Sequence, residues 1–202
     1  DYNHVIEFDT SSTWPTVFII DPHPRKNHVM LYVQIDPADD WWVVAELESG
    51  GDCVETRNLA HGLEKEIGLL IVRRLMDPNM ALAPSGQRRE ISWQDEFAGA
   101  GLSCELADDV DVGRSRVNTM LKPDPDTLRP RLHFHPRCKN AIYQLNRFSW
   151  DNFHKNIDRD QKQTPKDKHS DYPACMRYLA NSDPSFRFLR SAPPVLKRPG
   201  KR

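Results

Sequence analysis

The 202-residue chain has no apolar run near the ~20 residues that a membrane-crossing helix needs, so a helical membrane anchor is excluded within it. It has no C-x-x-C pair. Its four cysteines stand at 53, 104, 138 and 175, a spacing that excludes a zinc ribbon or a disulfide framework and fits free thiols in a reducing compartment. No G-x-x-x-x-G-K-[ST] loop is present, which excludes a P-loop nucleotide site in this chain, and no G-x-S-x-G elbow marks a hydrolase serine. Internal repeats are absent. Net charge is nearly absent too, at −1. Hydrophobic residues are 38% and charged residues 28%, which is polar for a globular protein but not disordered in character. A chain of this length buries roughly 70% of its unfolded surface and needs no covalent staple. The first residue is Asp1, which leads us to expect a piece of a longer protein. We expect one domain over 1–185. The remainder, 186–202, contains no acid and reads as a basic tail.

The small net charge covers a division. Residues 1–101 carry 8 Lys and Arg against 17 Asp and Glu, whereas 102–202 carry 20 against 12. Basic surface suits a polyanion and clustered acids suit a divalent cation, although two halves of opposite sign also simply neutralise each other.

Apolar, β-branched and aromatic runs at 17–20, 29–35 and 41–47 read as strands joined by short turns, hence an antiparallel meander. After Gly50-Gly51 the period changes. Leu59, Leu63 and Ile67 recur every four residues, so 54–67 is expected to be an amphipathic helix with these three facing inward. Gly68 breaks it, and 69–76 forms a fourth apolar run. A strand reached through a helix pairs parallel to a strand already in the sheet. Residues 79–100 read as an irregular loop with a short helix at 93–100. A fifth strand is expected within 102–107, helices at 113–121, 138–148 and 172–180, and a short strand at 131–135. Residues 154–169 show no period and read as a loop. The resulting fold class is α/β, a mixed five-stranded sheet of order 3-2-1-4-5 with helices on both faces, the arrangement of ribonuclease H-like nucleases.

Three strands end in Asp-Pro, at Asp21, Asp36 and Asp77. Topology separates them. If the first and fourth strands are parallel neighbours, Asp21 and Asp77 meet at their C-terminal ends, while Asp36 sits at the opposite rim with Asp39 and Asp40 in a turn. Carboxylates held close repel unless a proton or cation separates them, and Mg²⁺ takes carboxylate and water oxygens. A third acid is expected from a helix beside these ends. Asp171 opens the 172–180 helix, where it is also a good N-cap ahead of Tyr172-Pro173.

The Asp21-Pro22 strand, Leu75-Met76-Asp77-Pro78, Arg131-Leu132-His133-Phe134-His135-Pro136-Arg137-Cys138 leading into a helix, and His169-Ser170-Asp171 followed by Met176-Arg177-Tyr178 occur in this order. Together, over about 15–182, they resemble the C-terminal nuclease domain of the large terminase subunit of tailed bacteriophages. The resemblance implies a ribonuclease H-like fold and metal-dependent endonucleolytic cutting of concatemeric double-stranded DNA during packaging, in the cytoplasm of an infected bacterial host. It implies a three-carboxylate site, carried here by Asp21, Asp77 and Asp171 as catalytic residues and metal ligands. Asp21 would bridge two Mg²⁺ or Mn²⁺ ions ~3.5–4 Å apart. One departure stands out: family members often carry a second Asp where this chain has Ala174. Portal protein, small terminase subunit and an N-terminal ATPase domain outside this chain are the implied partners.

Arg25, Lys26, Arg114, Arg116, Lys166, Lys168 and His169 flank the carboxylates in sequence and suit phosphate contacts. No helix carries a base-reading pattern, so little sequence specificity is expected. His133 and His135 share one side of a strand with Cys138 near, but a fourth zinc ligand is not apparent. Trp41-Trp42 reads as one ring in the core and one outside, Trp93 as core, and Cys175 as a core thiol without a paired base. Rival readings are another nuclease of the same fold, such as a junction resolvase or ribonuclease H, and a non-catalytic DNA-binding or portal-docking module.

Overall fold

The computed structural model describes residues 4–85, 88–148 and 170–191. β1 (Pro15–Asp21), β2 (His28–Ile35) and β3 (Trp41–Ser49) form the expected meander, each pair antiparallel. β1 and β2 read as near-continuous apolar runs because both their faces are covered. Side chains alternate across the sheet. Val17, Ile19, Leu31 and Val33 enter one core, and Phe18, Ile20, Met30 and Tyr32 enter the other.

α1 (Cys53–Ile67) starts at a capping box. Asp52 accepts from the Val54 and Glu55 amides at 2.8 Å, and Glu55 returns a bond to the Asp52 amide. It stops at Gly68, whose φ of 73° is left-handed and whose amide closes on the Glu64 carbonyl. The expected inward stripe is corrected here: Leu59 is 49% exposed, and the buried face is Cys53, Thr56 and Ala60, with Leu63 and Ile67 partly covered. Small residues let the helix sit close on the sheet, where the Tyr32 hydroxyl reaches the Ala60 carbonyl at 3.4 Å.

β4 (Leu70–Met76) follows, parallel to β1. The stretch read as an irregular loop is more ordered than that. It holds α2 (Pro78–Ala81), a small antiparallel pair, β5 (Pro84–Ser85) with β6 (Arg88–Ser92), and α3 (Trp93–Gly99). β7 (Glu105–Leu106) then pairs parallel to β4. α4 (Val112–Leu121) leads to β8 (Leu132–Phe134), and α5 (Lys139–Arg147), α6 (Asp171–Asn181) and α7 (Phe186–Ser191) complete the described chain.

Among the described residues the sheet has six strands, in the order β7-β4-β1-β2-β3-β8. The expected 3-2-1-4-5 core is present with β7 as its fifth strand. The correction is β8, which adds parallel to the free edge of β3. The Trp41 amide donates to the Arg131 carbonyl at 2.7 Å and the His135 amide to Val43 at 2.9 Å. The N-terminal segment in turn covers β8, since the Phe134 amide donates to His4 and the Ile6 amide to Phe134, so the edge strand is not left open. α1 and α3 cover one face, and α4, α5 and α6 the other. Ordered structure continues past residue 185: Phe186 packs on the core and its amide donates to Asp39 at 2.7 Å. The loop expected at 154–169 and the chain end at 192–202 lie outside the described residues.

Candidate active site

Because β1 and β4 run parallel, they end together. Ile20 pairs with Met76, and the Asp77 amide donates to the Ile20 carbonyl at 3.0 Å, so Asp21 and Asp77 leave adjacent strands at one rim. α6 crosses the face beneath and begins at the same rim with Asp171. Burial, then the charge of Asp77, then that of Asp171 push the Asp21 carboxyl from 3.8 up to about 8, with Lys26 and Arg177 partly offsetting them. Cys175, one turn beyond Asp171, lies buried under the same group. Its thiol is pushed well up by burial and by all three carboxylates. This is the core thiol expected from the sequence.

Each of the other two acids has its own protein partners. Asp77 is 6% exposed and caps α2, accepting from the Asn79 amide at 3.0 Å and the Met80 amide at 3.4 Å. Asp171 accepts from Gln144 of α5 at 3.4 Å and faces the Lys26 ammonium at 3.8 Å. It is not the N-cap that its position suggested. Ser170 takes that place, and the Tyr172 amide donates to the Gln144 side-chain oxygen at 3.0 Å. Among the described residues, no three His, Cys, Asp or Glu side chains are gathered as a ready-made metal cage. The chemistry of the rim nonetheless fits a hard divalent cation: its donors are carboxylate oxygens, and Asp21 ionises with difficulty until positive charge arrives.

The opposite rim holds Asp36, as expected. Its carboxylate accepts from the Ala38 and Asp40 amides at 2.8 and 2.9 Å and from the Trp42 indole at 3.0 Å. The histidines near β8 are structural in placement. His133 stacks on Trp42 with ring centroids 4.3 Å apart, His135 is bonded by Arg137, and Cys138 is buried in the same core as α4 and α6. Trp41 and Trp42 divide between the two faces, and Trp93 is core.

The basic residues divide by position. Arg25 and Lys26 are exposed in the turn after Asp21. Arg114 pairs with Asp111 at 3.1 Å. Arg116 donates to the Ala180 carbonyl at 2.9 Å, at the far end of α6, about 13 Å along the axis from Asp171. Lys166, Lys168 and His169 lie outside the described residues. Sequence reasoning missed Asp109, Arg177, Tyr178 and Gln144, which all reach this rim. Asp109 carried a signal: it follows β7, which is parallel to β4, so the rule that paired Asp21 with Asp77 applies to it as well.

No family model matches the sequence, and no curated protein matches it. Solved structures do match. The large terminase of a thermophilic bacteriophage superposes with TM-score 0.66 at 14% identity, covering 90% of this chain and 42% of that one. The chain therefore spans less than half of that protein. The P22 large terminase nuclease domain matches with TM-score 0.64 at 14% identity, covering 94% of each chain. The large terminase nuclease of thermophilic phage G20c with bound cobalt matches with TM-score 0.52 at 12% identity, over 87% of this chain and 85% of that one. At these identities the likeness is one of architecture, and this chain has the fold of the large terminase nuclease domains.

Proposed function

We propose that the chain is a metal-dependent endonuclease, the nuclease domain of a viral DNA-packaging terminase that cuts concatemeric double-stranded DNA with little sequence specificity. The observation that carries this reading is the convergence of Asp21, Asp77 and Asp171 at one rim, with Asp21 held up to about 8 by burial and by the other two. The fold likeness to terminase nuclease domains, one of them crystallised with cobalt, supports it. Asp21, Asp77 and Asp171 would hold two Mg²⁺ or Mn²⁺ ions, which would supply an acidified water as nucleophile and charge stabilisation at the leaving 3′ oxygen. Asp21, on which the charges of both other acids act, would be the ligand common to the ions. Asp77 would bind the cation already oriented by its cap bonds to α2, and Asp171 would give up its contact with Lys26 to do so. Arg25 and Lys26 lie beside Asp21 to take phosphates, and Lys166, Lys168 and His169 precede Asp171 for the same purpose. Arg114 and Arg116 extend that surface along α4. Portal protein, small terminase subunit and a separate ATPase region are the partners this reading implies, working in the cytoplasm of the infected host.

The test is digestion of plasmid DNA with Mg²⁺ or Mn²⁺, with and without EDTA, against four-way junctions and RNA–DNA hybrids. Duplex cutting abolished by EDTA, and reduced about 10³-fold by Asp21→Asn and by Asp77→Asn, is the expected result. Undiminished cutting by both variants contradicts it. Preference for junctions or hybrids replaces the packaging role with that of another nuclease.

A further inference from the structure

Asp77 belongs to a circuit of neighbouring groups that it enters through the backbone amide of Asn79. The Asn79 amide donates to its Oδ1 at 3.0 Å, and the Asn79 side chain donates to Asp109 Oδ2 at 2.7 Å. Asp109 Oδ1 is ion-paired with the Arg177 guanidinium at 2.5 Å. Arg177 lies over the Tyr178 ring, 5.2 Å from its centroid, and donates a long bond of 3.5 Å to the Tyr178 hydroxyl. That hydroxyl, on a residue only 3% exposed, lies beside Asp77: burial and then the Asp77 charge push it up, which brings the circuit back to its start. Three separate parts of the chain contribute: α2, the loop after β7, and α6. The loop is itself pinned, because the Asn181 side-chain amide donates to the Asp108 and Val110 carbonyls at 2.8 and 2.9 Å.

We propose that this ring is a positioning device: Asn79, Asp109, Arg177 and Tyr178 hold the Asp77 carboxylate in one orientation for a divalent cation. The inference deepens the nuclease reading and rests on it. Two physical effects act in the same direction. A carboxylate already ordered loses less freedom when it binds a cation, and partners behind a metal ligand orient it. Asp109 also takes up the charge of Arg177, which faces Asp21 as well. Without that pairing the guanidinium is free to turn to the three carboxylates and compete with the cation for them.

The experiment is calorimetric titration of the whole chain with Mn²⁺, comparing wild type with Tyr178→Phe, Asp109→Asn and the double variant. Asn79→Ala alters an exposed member and gives the same reading if a buried variant fails to fold. Each single change is expected to weaken Mn²⁺ binding about tenfold. The double variant is expected to lose no more than the larger of the two single losses, because a ring opened once is already open. Melting temperature alone reports a structural role, whereas Mn²⁺ affinity reports positioning. Single variants that bind Mn²⁺ as tightly as wild type overturn the proposal, as do losses that add independently. A wild-type chain that neither binds Mn²⁺ nor cuts DNA overturns the nuclease reading, and the ring proposal with it.

Discussion

Two rims of the same sheet carry the same dipeptide, and the two aspartates differ in nearly every other respect. At one rim Asp36, followed by Pro37, receives two backbone amides and the Trp42 indole, and its carboxylate is fully occupied in holding a turn. At the other rim Asp21, followed by Pro22, faces two more carboxylates and is pushed to about 8. The strand direction makes the difference. β2 runs against β1 and β4, so its end is delivered to the far side of the sheet, while β1 and β4 deliver Asp21 and Asp77 side by side. An Asp-Pro pair has no chemical role of its own; parallel pairing turns two of them into a charged site and antiparallel pairing makes the third a turn. One rim supports the fold, and the other costs it stability, as expected where binding needs charges held together.

The strongest way to sharpen this contrast is the pH dependence of stability without divalent cations. Asp21 has a folded-state value of about 8 against 3.8 for an ordinary aspartate, so the unfolded chain releases its proton first. Its contribution favours folding fully below about pH 4 and is lost as pH rises through about 8. Asp21→Asn has no such proton to lose. At pH 7 the variant is expected to exceed wild type in urea unfolding by on the order of 3 kcal/mol, with the difference vanishing near pH 4. Equal stability at both pH values contradicts the electrostatic account of this rim.

Asp36→Ala should do the reverse. It leaves two amides and the Trp42 indole without their acceptor and is expected to destabilise the protein by about 2 kcal/mol, while cleavage per folded molecule is unchanged. A variant that loses cutting but not stability would erase the distinction between the rims. A smaller effect is expected from Gly113→Ala. A Cβ there would stand 2.5 Å from the Asn181 Oδ1 and 2.7 Å from the Arg177 carbonyl, so α4 must shift away from α6. About 1–2 kcal/mol of lost stability is expected. Mn²⁺ affinity should weaken with it, because Asn181 ties down the loop that carries Asp109. Thermal melts and Mn²⁺ titrations check both.

Much of this arrangement could be read in the sequence, and for physical reasons. β1, β2 and β4 are long apolar runs ended by Asp-Pro, and their order alone implied which ends meet. The interruption at Gly68 and the four-residue period before it marked α1. The face of α1 was harder to read, because small residues at Cys53, Thr56 and Ala60 govern the approach to the sheet while Leu59 points to solvent. The β5–β6 pair is too short to show a period, and the place of β8 depends on hydrogen bonds to Trp41 and Val43, in a strand far earlier in the chain. Asp171 was found, but its partners Gln144 and Lys26 come from distant segments. Half of the ring around Asp77 was invisible for the same reason: Arg177 and Tyr178 reach it only after α6 has crossed beneath the sheet, whereas Asp109 follows a strand parallel to β4 and could have been placed.

A crystal soaked in Mn²⁺ and measured for anomalous scattering tests the central claim most directly. The expected result is metal density at the rim shared by β1 and β4, touched by Asp21 and Asp77 with Asp171 drawn in from α6. Density absent from this rim at saturating Mn²⁺, or found only beside Asp36, contradicts it.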